Sequence, residues 1–283
     1  MRYTKIPVDT FEKLQINAGF ITTSFTPSTG VASPYFATAG GISFATNPEY
    51  ADYGEDVDNC PKNTKELKRL QSVSPVISGT AVSVDHNIIK KLIGGATIDA
   101  TTAGVKKITP NLALSSSDFG DIWFVGDYSD ENGDSNGGGI AIHLLNGLNT
   151  SGFQLTTTDR GKGQFAFEFT GHVSISAQTT LPYEVYIIEP FYSLTLASVA
   201  GTSAGKTAIT VSGYTLKSGE SWKYKTAATV ALPDQGDDLS SGWTAWNGTD
   251  EITASTGNDL AVAAVDASTK CVGTGKVTVV SKD

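Results

Sequence analysis

Residues 163–176, GQFAFEFTGHVSIS, hold the pattern that most narrows the choice of fold. Phe165, Phe167 and Phe169 alternate with Ala166, Glu168 and Thr170. A period of two belongs to a strand, in which successive side chains leave opposite faces, whereas a helix would scatter the three rings around its circumference. One face of the segment is therefore apolar and reads as core, and a strand of this length predicts an extended sheet. Further strands are predicted at 19–25, 41–46, 76–84, 119–127 and 139–145. Composition agrees, because the chain is rich in Thr, Val, Gly and Ser and β-branched side chains lose little freedom in a strand. Two short helices are expected. One covers 63–70, where Asn63 caps and Glu66 stands three residues on; the other covers 87–93 and stops at Gly94 and Gly95.

The texture changes after LPYEVYIIEP, which ends at Pro190. Beyond it come short Thr, Ala and Val runs separated by Gly, Ser and Asp turns, such as KTAITVSGY, DLAVAAVD and GKVTVVSK. Their brevity and alternation predict an immunoglobulin-like sandwich, for which about 93 residues is a suitable size. The domains are therefore placed at 1–190 and 191–283. The segment 127–139, GDYSDENGDSNGG, is too polar and glycine-rich to pack and reads as a hairpin tip or an insertion ordered by a neighbour.

Charge narrows the function. Lys and Arg number 20 against 29 Asp and Glu, a net −9, and a chain that holds nucleic acid needs a basic stripe that is missing here. No apolar run reaches membrane-spanning length, and the opening MRYTKIPVDTFEKLQ lacks the apolar centre of a signal peptide, so a soluble chain made in a cytoplasm is expected. Cys60 and Cys271 lie in different predicted domains and the three His are scattered, so neither a disulfide framework nor a metal site is expected.

Several motifs invite chemistry. Gly201-Thr-Ser203-Ala-Gly205 fits the G-x-S-x-G elbow of serine hydrolases, but strands flank it on both sides and the last His, His172, precedes it, so a hairpin turn is expected. Asp130-x-Asn132-x-Asp134 opens like a calcium loop, yet Ser135 and Ala141 stand where Gly and Glu are required. Asp52, Glu55, Asp56 and Asp58 are followed by Lys62, Lys65, Lys68 and Arg69; nothing fixes a catalytic pair, and the two groups read as complementary patches for docking one subunit onto another. Asn149 and Asn247 open sequons that read as chance matches in a chain without a secretion signal. Trp222, Trp243 and Trp246 suit either sugar stacking or burial between sheets. No nucleophile triad, catalytic residue or cofactor-binding loop emerges, and the chain is not expected to be an enzyme.

Several stretches together resemble the major tail tube protein of long-tailed, siphovirus-type bacteriophages that carry a C-terminal immunoglobulin-like domain. They are LQINAGF (14–20), ATAGGISFATNPEYADYGEDVDNCPKNTKELKRL (37–70), SGTAVSVD (78–85), IIKKLIGGA (88–96) and LTTTDRGKGQFAFEFTGHVSI (155–175), with DYGEDVDNCPKNTKELKRL and KGQFAFEFTGH the strongest. The resemblance implies a mainly β chain: a tail-tube β-sandwich or barrel domain with a short flanking helix, followed by an Ig-like β-sandwich. It implies a structural virion protein assembled in the host cytoplasm, self-assembling into stacked hexameric rings that conduct DNA during ejection. Its partners would be further copies of itself, the tape-measure protein and transiting DNA in the lumen, and tail-tip and tail-terminator proteins. The outer domain would decorate the tube and touch host-surface glycans. The alternatives are a carbohydrate-binding or adhesive surface protein, and a tube subunit of a contractile tail or phage-derived bacteriocin.

Overall fold

The computed structural model describes residues 14, 15, 17–28, 30–127 and 138–283. It is mainly β, with 47% of residues in strands and 5% helical. Among the described residues the chain divides into two compact units, with the division between Ile188 and Glu189.

The first unit contains β1 (Phe20–Thr22), β2 (Phe25–Thr26), β3 (Val31–Ala32), β4 (Thr38–Ala45), β5 (Pro48–Asp52), β6 (Lys68–Val73) and β7 (Val76–Ala81). The helix α1 (His86–Ile93) follows, then β8 (Ala96–Asp99), β9 (Lys107–Pro110), β10 (Gly120–Asp127), β11 (Gly139–Asn149), β12 (Gln154–Thr156), β13 (Gln164–Thr170) and β14 (Tyr183–Ile188). Eight strands form one sheet along the path β1-β10-β11-β13-β7-β4, with β14 added to β11 and β12 to β13. The path rolls back on itself: Ile21 of β1 bridges Phe36, just before β4, and the Tyr35 N–H donates to the Ile21 carbonyl at 2.7 Å.

Phe167 and Phe169 of β13 are buried with Ile21, Phe36, Ile77, Ile122, Ile142 and Leu144, the face that the alternation predicts. On β7, Gly79 lies opposite Phe167, and a Cβ there would stand 2.8 Å from the ring tip, so the missing side chain makes room for the aromatic one. The predicted strand 163–176 is cut short at Thr170. A Cβ on Gly171 would lie 2.7 Å from both the Leu144 side chain and the Pro182 carbonyl. The Gly171 and His172 N–H groups turn to the Pro75 and Leu145 carbonyls, and Ile175–Ala177 forms a 3-10 turn.

The helix α1 begins at His86, one residue before its predicted start, because Asp85 Oδ1 accepts the Ile88 N–H at 2.8 Å. Ile88 and Leu92 carry its apolar face into the same core. The helix predicted over 63–70 does not form. Asn63 has φ +61°, whereas an N-cap residue is extended. Its N–H is held by Asp52 Oδ2 at 3.0 Å, residues 65–67 turn, and Lys68 enters β6 paired with β5.

The second unit contains β15 (Tyr192–Ser193), β16 (Thr195–Ala200), β17 (Lys206–Ser212), β18 (Ser221–Ala227), β19 (Thr244–Trp246), β20 (Ile252–Thr253), β21 (Asp259–Val265) and β22 (Cys271–Thr278). One sheet has the order β15-β22-β21-β18-β19 and the other β16-β17-β20. Leu260 and Val262 from the first sheet meet Ile209 and Ile252 from the second in one core, which is a sandwich. Ala263 and Val265, on the opposite face of β21, join a second cluster with Leu239 and Cys271. Burial on both faces explains why DLAVAAV reads as a continuous apolar run. Cys60 and Cys271 are free, and burial pushes the Cys271 thiol up to about 11. Among the described residues no helix is long and apolar enough to cross a membrane.

Candidate functional site

The eight charged residues singled out as interface patches all lie on one element. β4 and β7 pair within the main sheet, and past Ala45 and Val76 the two chains continue as β5 and β6, which pair only with each other. The Asn47 side-chain amide, donating to the Ser74 carbonyl at 3.2 Å, ties the two chains at the base of this arm. Asp52 is turned inward: its carboxylate accepts the Gly54 N–H at 2.9 Å and the Asn63 N–H at 3.0 Å, gathering the loop that joins the strands. Thr64 Oγ1 donates to the Pro61 carbonyl at 2.7 Å in the same loop.

The other seven face water. Glu55, Asp56 and Asp58 are exposed at the turn, and Lys62, Lys65, Lys68 and Arg69 are exposed on the return. The Arg69 guanidinium donates to the Glu66 and Lys68 carbonyls at 2.7 and 3.0 Å, and the Lys68 ammonium stands 5.6 Å from the centre of the Tyr50 ring. Tyr50 and Leu70 oppose each other across the ribbon, and both are exposed, as are Tyr53 and Val57. Sequence reasoning found the charges and missed this apolar surface, whose signal was the same stretch of residues read as a strand pair.

A second cluster escaped the sequence altogether. Register places Trp123 of β10, His143 of β11 and Glu184 of β14 side by side. The His143 ring stacks on Trp123 with centroids 3.8 Å apart and planes 6° apart. Its nitrogens lie 3.3 Å from Asp121 Oδ2 and 3.4 Å from Glu184 Oε2. Tyr186 donates to Glu184 at 2.5 Å; that hydroxyl, followed by His143, holds the Glu184 carboxyl below its ordinary value, and the hydrogen bond to Glu184 in turn raises Tyr186. The group joins three strands through side chains distant in sequence, so only the strand register reveals it.

In the second unit, Gly201–Gly205 joins β16 to β17, with the Gly201 N–H donating to the Lys206 carbonyl at 2.9 Å. Glu251 accepts from Thr202 N–H and Oγ1 at 2.7 and 3.0 Å, so Ser203 sits in a pinned hairpin loop rather than a strand-to-helix elbow. Trp246 is buried, with its indole N–H on the Asp250 carbonyl at 2.8 Å; Trp222 packs against the same core and Trp243 against the second cluster. Tyr224, Asn247 and Asp250 line a shallow hollow beside Trp246. The candidate cation loop at Asp130, Asn132 and Asp134 lies outside the described residues. Among those described, no three His, Cys, Asp or Glu converge as a metal site.

Residues 199–282 match a family model described as the S-layer protein SbsC C-terminal domain. Among solved structures, domains 7, 8 and 9 of the S-layer protein SbsC are 21% identical, with 50% of this chain and 37% of that chain covered and a TM-score of 0.28. Domains 4–9 of the surface layer protein SbsC are 14% identical, with 88% of this chain and 52% of that chain covered and a TM-score of 0.28. The chain thus spans about a third to a half of the solved chains it matches. No curated protein matches. The family match overturns the tail-tube resemblance, because it assigns a surface layer family to the stretch that the resemblance treats as an appendage of a tube. The siphovirus identity, the virion location and the DNA, tape-measure, tail-tip and tail-terminator partners fall with it.

Proposed function

We propose that this protein is a structural component of a cell surface, without catalytic chemistry, that associates with further copies of itself through its first unit and carries the second as a surface-layer module. The observation that carries this reading is the match of residues 199–282 to a surface layer family. The distribution of exposed apolar side chains supports self-association. The first unit leaves Val185 and Ile187, two positions apart and so on one face of β14, in water, and exposed apolar surface beside an open edge favours a contact with another chain. The edge strand β14 also has one side without a strand partner among the described residues, and an open edge is a template for pairing with another chain.

Immunogold labelling of intact producing cells with antibodies raised against the full chain tests the location. Gold along the outer surface is the expected result, and label confined to the cell interior overturns the reading. Adhesion to glycans is a second reading, favoured by the hollow at Tyr224, Asn247 and Asp250, where an aromatic face stands beside polar side chains. Many weak copies on one surface would add avidity. A glycan array should then show binding that Tyr224→Ala removes; equal binding by both proteins overturns it.

A further inference from the structure

We infer that the β5–β6 arm is a self-docking element, in which the arm of one copy lies against the arm of a second copy across a two-fold axis. The acidic turn of each then faces the basic return of the other, with Tyr50 and Leu70 between them. The inference rests on the self-association part of the proposed function and names the surface that performs it.

Three features of the arm converge on this partner. The first is its construction. A two-stranded ribbon in water is marginally stable at best, and past Ala45 and Val76 this one has no third strand among the described residues and leaves most of its side chains exposed. The second is its apolar surface. Tyr50 is 56% exposed and Leu70 43%, and the two stand directly opposite on one face of the ribbon. Cross-strand aromatic and aliphatic pairs stabilise a sheet when another surface covers them.

The third is the arrangement of charge. Three carboxylates occupy 55–58, and the exposed cations fall at 62–69 with Glu66 the one acid among them, so the sequence of the arm divides into an acidic block and a mainly basic one. Among the described residues the arm holds one internal ion pair, Lys65 with Glu66 at 3.4 Å, while Glu55, Asp56 and Asp58 pair with none of the cations. A two-fold axis places residue i of one copy on residue j of the other and j on i. A surface carrying both signs in separate blocks is complementary to itself under that operation. A uniformly acidic or basic partner would match one block and be repelled by the other.

Two charge-reversed versions of the full chain test this. Glu55→Lys, Asp56→Lys and Asp58→Lys reverse the acidic turn; Lys62→Glu, Lys65→Glu and Arg69→Glu reverse the basic return. Mass in solution is read by light scattering over a concentration series for wild type, each variant and an equimolar mixture. Wild type should dimerise, each variant alone should associate at least about tenfold more weakly, and the mixture should regain wild-type association. Rescue in the mixture also shows that both variants are folded. A wild type that stays monomeric, a variant that dimerises like wild type, or a mixture no better than its parts each overturns the inference. Surface labelling of cells is read separately, so a labelled surface with no effect of charge reversal sinks the arm and leaves the proposed function standing.

Discussion

Of the eighteen large hydrophobic side chains left exposed among the described residues, fifteen belong to the first unit and three, Val199, Leu232 and Val280, to the second. The second unit covers its central strand on both faces, and Leu260 through Val265 have no exposed surface. The first unit has a comparably well-filled core around Phe167 and Phe169, yet it leaves Ile187 60% exposed on an edge strand. A filled core beside an uncovered surface teaches that the two jobs are separable. The second unit buries most of its large apolar side chains within itself, while the first folds around its own core and leaves further apolar surface in water, as the proposed self-association requires.

The comparison breaks most directly if the units share their stability. Phe169→Ala should cost about 3–5 kcal/mol and Leu260→Ala about 2–5 kcal/mol. Hydrogen exchange should accelerate in the first unit for the former and in the second for the latter; acceleration across both would merge them into one cooperative body. A smaller loss is expected at the cap of α1, where Asp85→Ala removes the acceptor for the Ile88 N–H and should cost about 1 kcal/mol. Faster exchange of amides 88–93, with the second unit unchanged, is the signature.

Acid should act on both units through different groups. The Ser240 backbone N–H, aided by Lys270, holds the Asp238 carboxyl down at about 2, against an ordinary value of 3.8. The Val230 N–H and the Lys276 ammonium lower Asp259, and in the first unit Tyr186 and His143 lower Glu184. A carboxyl depressed by folding stabilises the native state above its unfolded value, and that contribution fades as pH falls through the folded value. Stability should therefore decline from about pH 4 toward pH 2. Asp238→Asn should flatten the decline in the second unit while leaving the first as it was; an unchanged acid limb in denaturant titrations would remove Asp238 from the account. The smallest effect is expected at Leu112, which lies fully in water. Leu112→Ser should change stability by less than about 0.5 kcal/mol, and a larger loss would show that the first unit covers this side chain after all.

Much of the architecture was legible because burial writes a period into the sequence. β13 and β17 show it as alternation, and α1 shows it with a cap and a glycine stop. The helix expected over 63–70 failed because a local capping pattern competed with pairing between Asp52 and Lys68, and pairing partners sixteen positions apart leave no mark that a short window can see. The same limit hid the cluster of Trp123, His143 and Glu184, which exists only once three strands are in register. The tail-tube resemblance misled for a related reason. Its two strongest segments are an exposed charged ribbon and an alternating core strand, and packing imposes both on unrelated β proteins.

One detail of the second unit bears on how it would behave under load. Tyr192 and Ser193 pair in parallel with Gly273 and Thr274, so the strand that enters the unit lies beside the strand that closes it, pointing the same way. Tension entering at β15 and leaving beyond β22 runs along both strands in opposite senses. It slides one strand past the other and strains their hydrogen bonds together, including the one from the Leu194 N–H to the Thr274 carbonyl at 2.9 Å. Bonds loaded in shear resist as a group, whereas bonds peeled from one end give way singly. A module built this way meets a pull along its length with these bonds acting as a group, beside those that tie Val279 and Lys282 to Asn258 and Lys206.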